Sequence, residues 1–162
     1  MSHPNHTGAE LSFEFFPPKT PQGSQKLRAV WMQLAELEPR FFSVTYGAGG
    51  STRQGTLDTV RAIRDSGHEA APHLSCVGAS RDEIESILDQ MRASGIRHIV
   101  ALRGDLPSGM AAAGELAHAS DLVALIRKAT GAHFRVDVAC YPECHPQARS
   151  PRDDLLNFKR KV

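Results

Sequence analysis

The sequence predicts an α/β chain built on a parallel sheet, and three observations predict it. Short apolar runs alternate strictly with amphipathic helical stretches, five times over, between Leu11 and the last residue. The connections between successive apolar runs are too long for hairpins, so neighbouring strands should run parallel through right-handed crossovers. Reactive and polar residues gather in or directly after those runs, as they do where parallel strands deliver their carboxyl ends to one rim.

Met1 to Glu10 is polar, with Pro4 and Gly8, and reads as a flexible N-terminal segment; residues 11–162 form one unit. Ser12-Phe13-Glu14-Phe15-Phe16 is a strand halted by Pro17 and Pro18, which cannot donate to a sheet ladder. Leu27, Val30, Trp31, Leu34 and Leu37 recur at helical spacing, with Pro39 as the stop. Phe41–Thr45 is the second strand, opening into Tyr46-Gly47-Ala48-Gly49-Gly50. Ser51 with Gln54 reads as a capping box before Leu57, Val60 and Ile63, and Gly67 ends that helix. Ala70–Cys76 is the third strand, although Pro72 weakens its first half. Ser80 and Glu83 form a second capping box before Ile84, Ile87, Leu88 and Met91, with Gly95 behind them. His98–Leu102 is a buried strand, and a small-residue loop from Ser108 to Gly114 follows Arg103–Pro107. Ser120-Asp121 opens the fourth helix, Phe134–Cys140 is the fifth strand, and a last helix runs from about Arg152 to Lys161.

The bulk numbers exclude several functions. With 19 Lys and Arg against 18 Asp and Glu, the net charge of +1 gives no electrostatic case for nucleic acid or an acidic membrane surface. No apolar run approaches membrane-spanning length, and the first residues lack a signal-peptide core. Three cysteines, an odd count, read as reduced thiols, so a cytoplasmic location is expected.

Glu14 is the most informative single residue. Alternation sets it on the face opposite Phe13 and Phe15. Two readings stand: a strand-edge carboxylate facing water, or a carboxylate in a partly dry interior, where burial disfavours the charged form and suits a general acid. Arg103-Gly104-Asp105 could merely close a strand, but a Gly-hinged pair of opposite charges at a strand end favours a ligand clamp. His73 taken alone is more often a satisfied core histidine. Tyr141-Pro142 and His145-Pro146 could be rigid turns. Cys140, Cys144 and His145 have weak metal spacing, with no second thiol pair, so no metal is expected. Lys159-Arg160-Lys161 is by default a solvated helix end favoured by the dipole, and secondarily a phosphate clamp. Gly47-Ala48-Gly49-Gly50 lacks both the dinucleotide fingerprint and the Lys-Ser/Thr of a phosphate-binding loop.

Taken together, Ser12–Pro18, Ser43–Ala48, Ala71-Pro72-His73-Leu74, Ile99–Asp105, Tyr141-Pro142-Glu143 with His145-Pro146, and Asp154–Asn157 with Lys159–Lys161 resemble methylenetetrahydrofolate reductases, in order along the chain. The resemblance implies a (β/α)8 TIM-barrel flavoprotein, of which only about five β/α units are present here. It implies non-covalent FAD, NADH or NADPH as hydride donor, and reduction of 5,10-methylenetetrahydrofolate to 5-methyltetrahydrofolate for one-carbon metabolism and methionine biosynthesis. By the same resemblance Glu14 is the general acid that opens the folate ring to an iminium, and Asp105 orients folate beside the flavin. Thr45, His73, Arg103 and Gly104 would contact the flavin. Tyr141, His145, Ala148, Asp154, Asn157, Arg160 and Lys161 would hold its ribityl, diphosphate and adenosine parts. His118 and Ala119 complete the flavin set, with His118 standing where the family more often carries Tyr or Phe.

Such a barrel takes about 250 residues. Five parallel strands leave two edges and an uncovered inner face, expected to be the barrel's apolar layered core. The chain is therefore expected to be marginally stable and inactive alone, and to form a homo-oligomer or to associate with the missing barrel half. An alternative is a catalytically incompetent fragment or interaction module needing a complementary partner.

Overall fold

The structure, a computed structural model, describes residues 10–46, 53–105, 114–146 and 148–162. Ten elements alternate: β1 (Ser12–Phe15), α1 (Pro21–Ala35), β2 (Phe41–Val44), α2 (Arg53–Asp65), β3 (Ala70–Ser75), α3 (Arg81–Ala93), β4 (His98–Leu102), α4 (Ala119–Thr130), β5 (Arg135–Val138) and α5 (Pro151–Lys161). The strands form one parallel sheet in the order β1-β2-β3-β4-β5. Consecutive order with crossovers of one hand sets every helix on the same side, which is the winding of a TIM barrel. The N-terminal segment before Glu10, the glycine loop 47–50, the Ser51 half of the proposed capping box and the loop 106–113 lie outside the described residues.

Register shows which side chains share a face. Phe13 pairs with Phe42 and Phe42 with Ala70; Phe15 pairs with Val44; Leu74 pairs with Ala101, and Ala101 with Val138. These point under the helices, where Phe42, Val44, Leu74, Ile99 and Ala101 meet Leu57, Val60, Ile63, Ile84, Leu88, Met91, Leu122 and Ile126 in one buried core. Phe42 anchors its first third, with ring centroids 6.1 Å from Phe13 and 5.4 Å from Phe15. Each large side chain buried this way contributes roughly 1.5–3 kcal/mol.

The other face differs from expectation. Glu14 pairs with Ser43 and Ser43 with Ala71; His73 pairs with Val100 and Val100 with Asp137; His98 pairs with Arg135. This helix-free face is therefore largely polar rather than the apolar layered core the barrel reading calls for. Its lower part is held by charge: His98 Nε2 lies 2.8 Å from Asp137 Oδ2, and Arg135 Nε donates to Asp137 Oδ1 at 3.3 Å. Arg40 pairs with Glu10 nearby, and Phe41 meets the His98 ring edge-on at 4.4 Å. A polar face tolerates water, so leaving it open costs far less than leaving an apolar one open.

Local signals account for most boundaries. The Ser80–Glu83 box is present in both directions, with Glu83 N donating to Ser80 Oγ at 3.2 Å and Ser80 N donating to Glu83 Oε2 at 2.7 Å. Helix α1 starts six residues before Leu27, because Thr20 Oγ1 accepts from Gly23 N and Pro21 occupies the first helical position. Its apolar stripe is only partly used: Trp31 is buried, whereas Val30 and Leu37 are 43% and 56% exposed. Helix α4 begins at Ala119, one residue ahead of Ser120-Asp121, with the amide of its cap residue His118 donating to Asp121 Oδ2 at 2.9 Å. Strand β3 runs through Pro72, since pairing with β4 begins only at His73 and the missing N–H interrupts no rung there. Strand β5 is shorter than Phe134–Cys140, because its ladder ends where Ala101 pairs with Val138 near the end of β4.

Candidate active site at the carboxyl ends of the strands

Between the ends of β4 and β5 and the flank of α5 lies a cleft of about 490 Å3. It is lined by Arg103, Gly104, Asp105, Ala119, Tyr141, His145, Asp154 and Lys161 among the residues read from the sequence, with Cys140, Leu155 and Phe158 beside them. Its volume lies in the ordinary range of small-molecule sites.

The β4 wall is built by a close approach. Gly104 has φ +85, and a side chain there would come within 2.0 Å of Ser75 Oγ and 2.8 Å of Val77 Cγ1. Ser75 Oγ donates to the Arg103 carbonyl at 2.9 Å, and Val77 N donates to the same oxygen at 2.8 Å. The end of β3 thus holds the chain bearing Arg103 and Asp105 from behind. Arg103 Nε donates to the Gly104 carbonyl at 3.1 Å, and Asp105 is exposed at the cleft edge. Underneath, Cys76 is buried against the carbonyls of Arg103, Leu116 and His118 at 3.7–3.8 Å. Burial pushes its thiol up to about 11, so it packs here as an inert small apolar group.

The β5 wall folds back on α5. Ser150 Oγ caps the helix by accepting from Asp153 N, and Pro151 takes the first helical position. One turn in, Asp154 Oδ2 accepts from the His145 amide at 2.8 Å, and Ala148 N donates to the His145 carbonyl at 2.9 Å. The rings of Tyr141 and His145 meet edge-on at 4.6 Å. At the other end of α5, Lys161 Nζ donates to the Ala139 carbonyl at 2.7 Å and sits 5.6 Å from the Phe158 ring centroid. Asp154, Leu155, Phe158 and Lys161 recur at helical spacing and turn one face of α5 to the cleft. The sequence reading singled out Asp154 and Lys161 but missed Leu155 and Phe158, which that same spacing could have found.

Several residues fall outside the cleft lining. Asn157 Oδ1 accepts from Arg160 at 3.3 Å, so these two are engaged with each other on α5. His118 caps α4 and is exposed, and Ala148 stands behind His145. Thr45 follows β2, its carbonyl accepting from Thr56 Oγ1 at 2.8 Å.

Glu14 and His73 form a second group on the helix-free face. His73 Nε2 lies 3.4 Å from Glu14 Oε2, with the side chains 8% and 55% exposed. The dry setting read for Glu14 is not present: Phe13 and Phe15 lie on the opposite face of β1, while the Glu14 side chain itself is more than half exposed. Burial pulls the His73 ring below its ordinary pKa, and the Glu14 charge partly offsets this.

The methylenetetrahydrofolate reductase family model matches residues 1–162. The chain belongs to the methylenetetrahydrofolate reductase family. It is 50% identical over 153 residues to the 5,10-methylenetetrahydrofolate reductase of Escherichia coli (strain K12), covering 94% of this chain and 50% of that protein. The corresponding protein of Salmonella typhimurium is 49% identical over the same shares. The Arabidopsis thaliana protein named methylenetetrahydrofolate reductase (NADH) 1 is 38% identical over 94% of this chain and 28% of its own length. The chain thus spans about half the length of the bacterial relatives. The five-unit parallel sheet agrees with the family's TIM barrel, and among the described residues no helix is long and apolar enough to cross a membrane.

Proposed function

We propose that this chain is the flavin- and folate-binding half of a cytoplasmic methylenetetrahydrofolate reductase, acting in one-carbon metabolism and methionine biosynthesis. The observation that carries the reading is the cleft between β4, β5 and α5, in a chain of this family. Its lining fits FAD: Lys161 and Arg103 bring cationic groups suited to a diphosphate, Tyr141 offers a half-exposed ring, and Asp154 fixes the backbone at His145. Gly104 and Ala119 line the same cleft, and Thr45, His118, Ala148, Asn157 and Arg160, outside its lining, are assigned to FAD by the family resemblance. FAD, when bound, supplies hydride relay from NADH or NADPH to methylenetetrahydrofolate.

The chain's own residues do the rest. Glu14 delivers a proton to folate from the helix-free face, and Asp105 orients the pterin from the end of β4. A second reading is supported by the half-length match and by the exposure of Glu14: the chain needs a complementary barrel half, or a second copy, before it turns over.

The test is direct. The purified chain should take up FAD and turn yellow, and NADH or NADPH should bleach it fully only once the remaining strands are supplied. Colourless protein that FAD cannot restore would refute flavin binding by this half. In the completed barrel, Glu14→Gln should abolish folate reduction and spare flavin reduction by the nicotinamide. Equal loss of both half-reactions would make Glu14 structural.

A further inference from the structure

We infer that His73 is the positioning residue for Glu14, holding its carboxyl group over the helix-free face through Nε2. The inference rests on the reading of Glu14 as the folate acid, and it gives His73 a role toward the acid beside its flavin contact. Three observations carry it.

First, the two groups are unequal in freedom. His73 is buried in the middle of β3, between β2 and β4, with 6% of its surface exposed. Glu14 is more than half exposed on β1, with two rotatable bonds beyond Cβ and water on its open side. Of the pair, only His73 is rigid enough to orient the other. The 3.4 Å separation from Nε2 to Oε2 is a loose polar contact in this open face, one that a small side-chain adjustment closes.

Second, the competing partners are occupied. Among the described residues, the other charged groups on or beside this face are His98 on β4, Arg135 and Asp137 on β5, paired with one another at 2.8 and 3.3 Å, and Arg40, paired with Glu10. From β2 and β4 the register neighbours Ser43 and Val100 bring no charge.

Third, burial favours the neutral ring. A neutral imidazole donates from Nε2 to a carboxylate as one tautomer and accepts from a carboxylic acid as the other. It can therefore hold Glu14 both before and after a proton is given up.

The experiment needs neither flavin nor folate, so its failure leaves the acid reading standing, and failure of that reading leaves the pair standing. Histidine ring 15N and 13C signals of the 162-residue chain are followed against pH in the wild type and in Glu14→Gln, whose exposed site is compatible with folding. The His73 midpoint should move to lower pH in Glu14→Gln, because the charge opposing burial is gone, while the His98 signals stay in place. An unmoved His73 would overturn the inference. As a second measurement, side-chain relaxation of Glu14 is compared in His73→Gln, which keeps a donor at similar reach, and His73→Leu, which does not. Order at Glu14 should be retained with Gln and lost with Leu; equal order in both would overturn it as well.

Discussion

The cleft wall at Gly104 makes a quantitative claim about backbone geometry. Gly104→Ala must place a side chain on a residue with φ +85, and the left-handed region costs an L-residue about 1–2 kcal/mol. It must also move Ser75 Oγ from a 2.0 Å overlap and Val77 Cγ1 from 2.8 Å. Overpacking of this kind costs about 1–3 kcal/mol, and displacing Ser75 breaks its hydrogen bond to the Arg103 carbonyl, worth about 1 kcal/mol. The sum is about 3–6 kcal/mol. Gly67 supplies the control: its φ is +90 with nothing within 4 Å, so Gly67→Ala bears only the backbone cost of about 1–2 kcal/mol. The two variants should therefore differ by about 2–4 kcal/mol in urea unfolding, or about 5–15 °C in Tm for a chain of this size. Equal destabilisation would show that the end of β3 does not brace the Arg103–Asp105 segment, and the account of the cleft wall would fail.

Other perturbations test other layers. Phe42→Ala removes the ring stacked between Phe13 and Phe15 and should cost about 3–5 kcal/mol by denaturant titration. Asp137→Ala strands the buried His98 and should cost about 1–2 kcal/mol, an effect softened by the partial exposure of the carboxylate. At pH 8 two of the three thiols, Cys140 and Cys144, should react with a disulfide reagent in the folded chain, and Cys76 only after unfolding. His73 carries a lowered pKa when folded, so the unfolded chain binds more protons below its ordinary value of 6.5. Its contribution to stability is complete above about pH 6.5 and is lost as the pH falls through the lower folded midpoint. A urea midpoint series across that window should slope in the wild type and flatten in His73→Gln.

Local chemistry made the fold legible. The apolar runs at Phe41, Ala70 and His98 are strands because they fill the space under the helices, and Gly67 and Gly95 end helices at positive φ as their positions suggest. Errors came where a signal was shared or non-local. Thr20 caps a helix whose apolar spacing shows only from Leu27, although Thr-Pro is a strong helix start, and His118 caps a helix that the sequence alone starts at Ser120-Asp121. Val30 and Leu37 have the spacing of buried residues, yet what decides their exposure is what lies beside α1, which no local pattern encodes. The cleft was half legible. Strand-end positions pointed to Arg103, Asp105, Tyr141 and His145, whereas Ser75 and Val77 act from a neighbouring strand and carry no motif.

The largest departure concerns the face that bears Glu14, and it changes what the acid requires. An apolar interior would have dried the carboxylate by itself. The observed face holds Ser43, His73, His98, Arg135 and Asp137, with the lower charges neutralised in pairs. Such a face orients polar groups, but it cannot exclude water from a side chain 55% exposed. Within these five strands the work is therefore divided: the sheet supplies position through His73, and desolvation must come from whatever covers the open side. Two measurements separate these contributions. Ordering of Glu14 by His73 should already be present in the 162-residue chain, whereas slow proton exchange between Glu14 and bulk water should arise only when a complementary half is added. Slow exchange in the chain alone would mean that these residues dry the site unaided, and the division proposed for this half-barrel would be wrong.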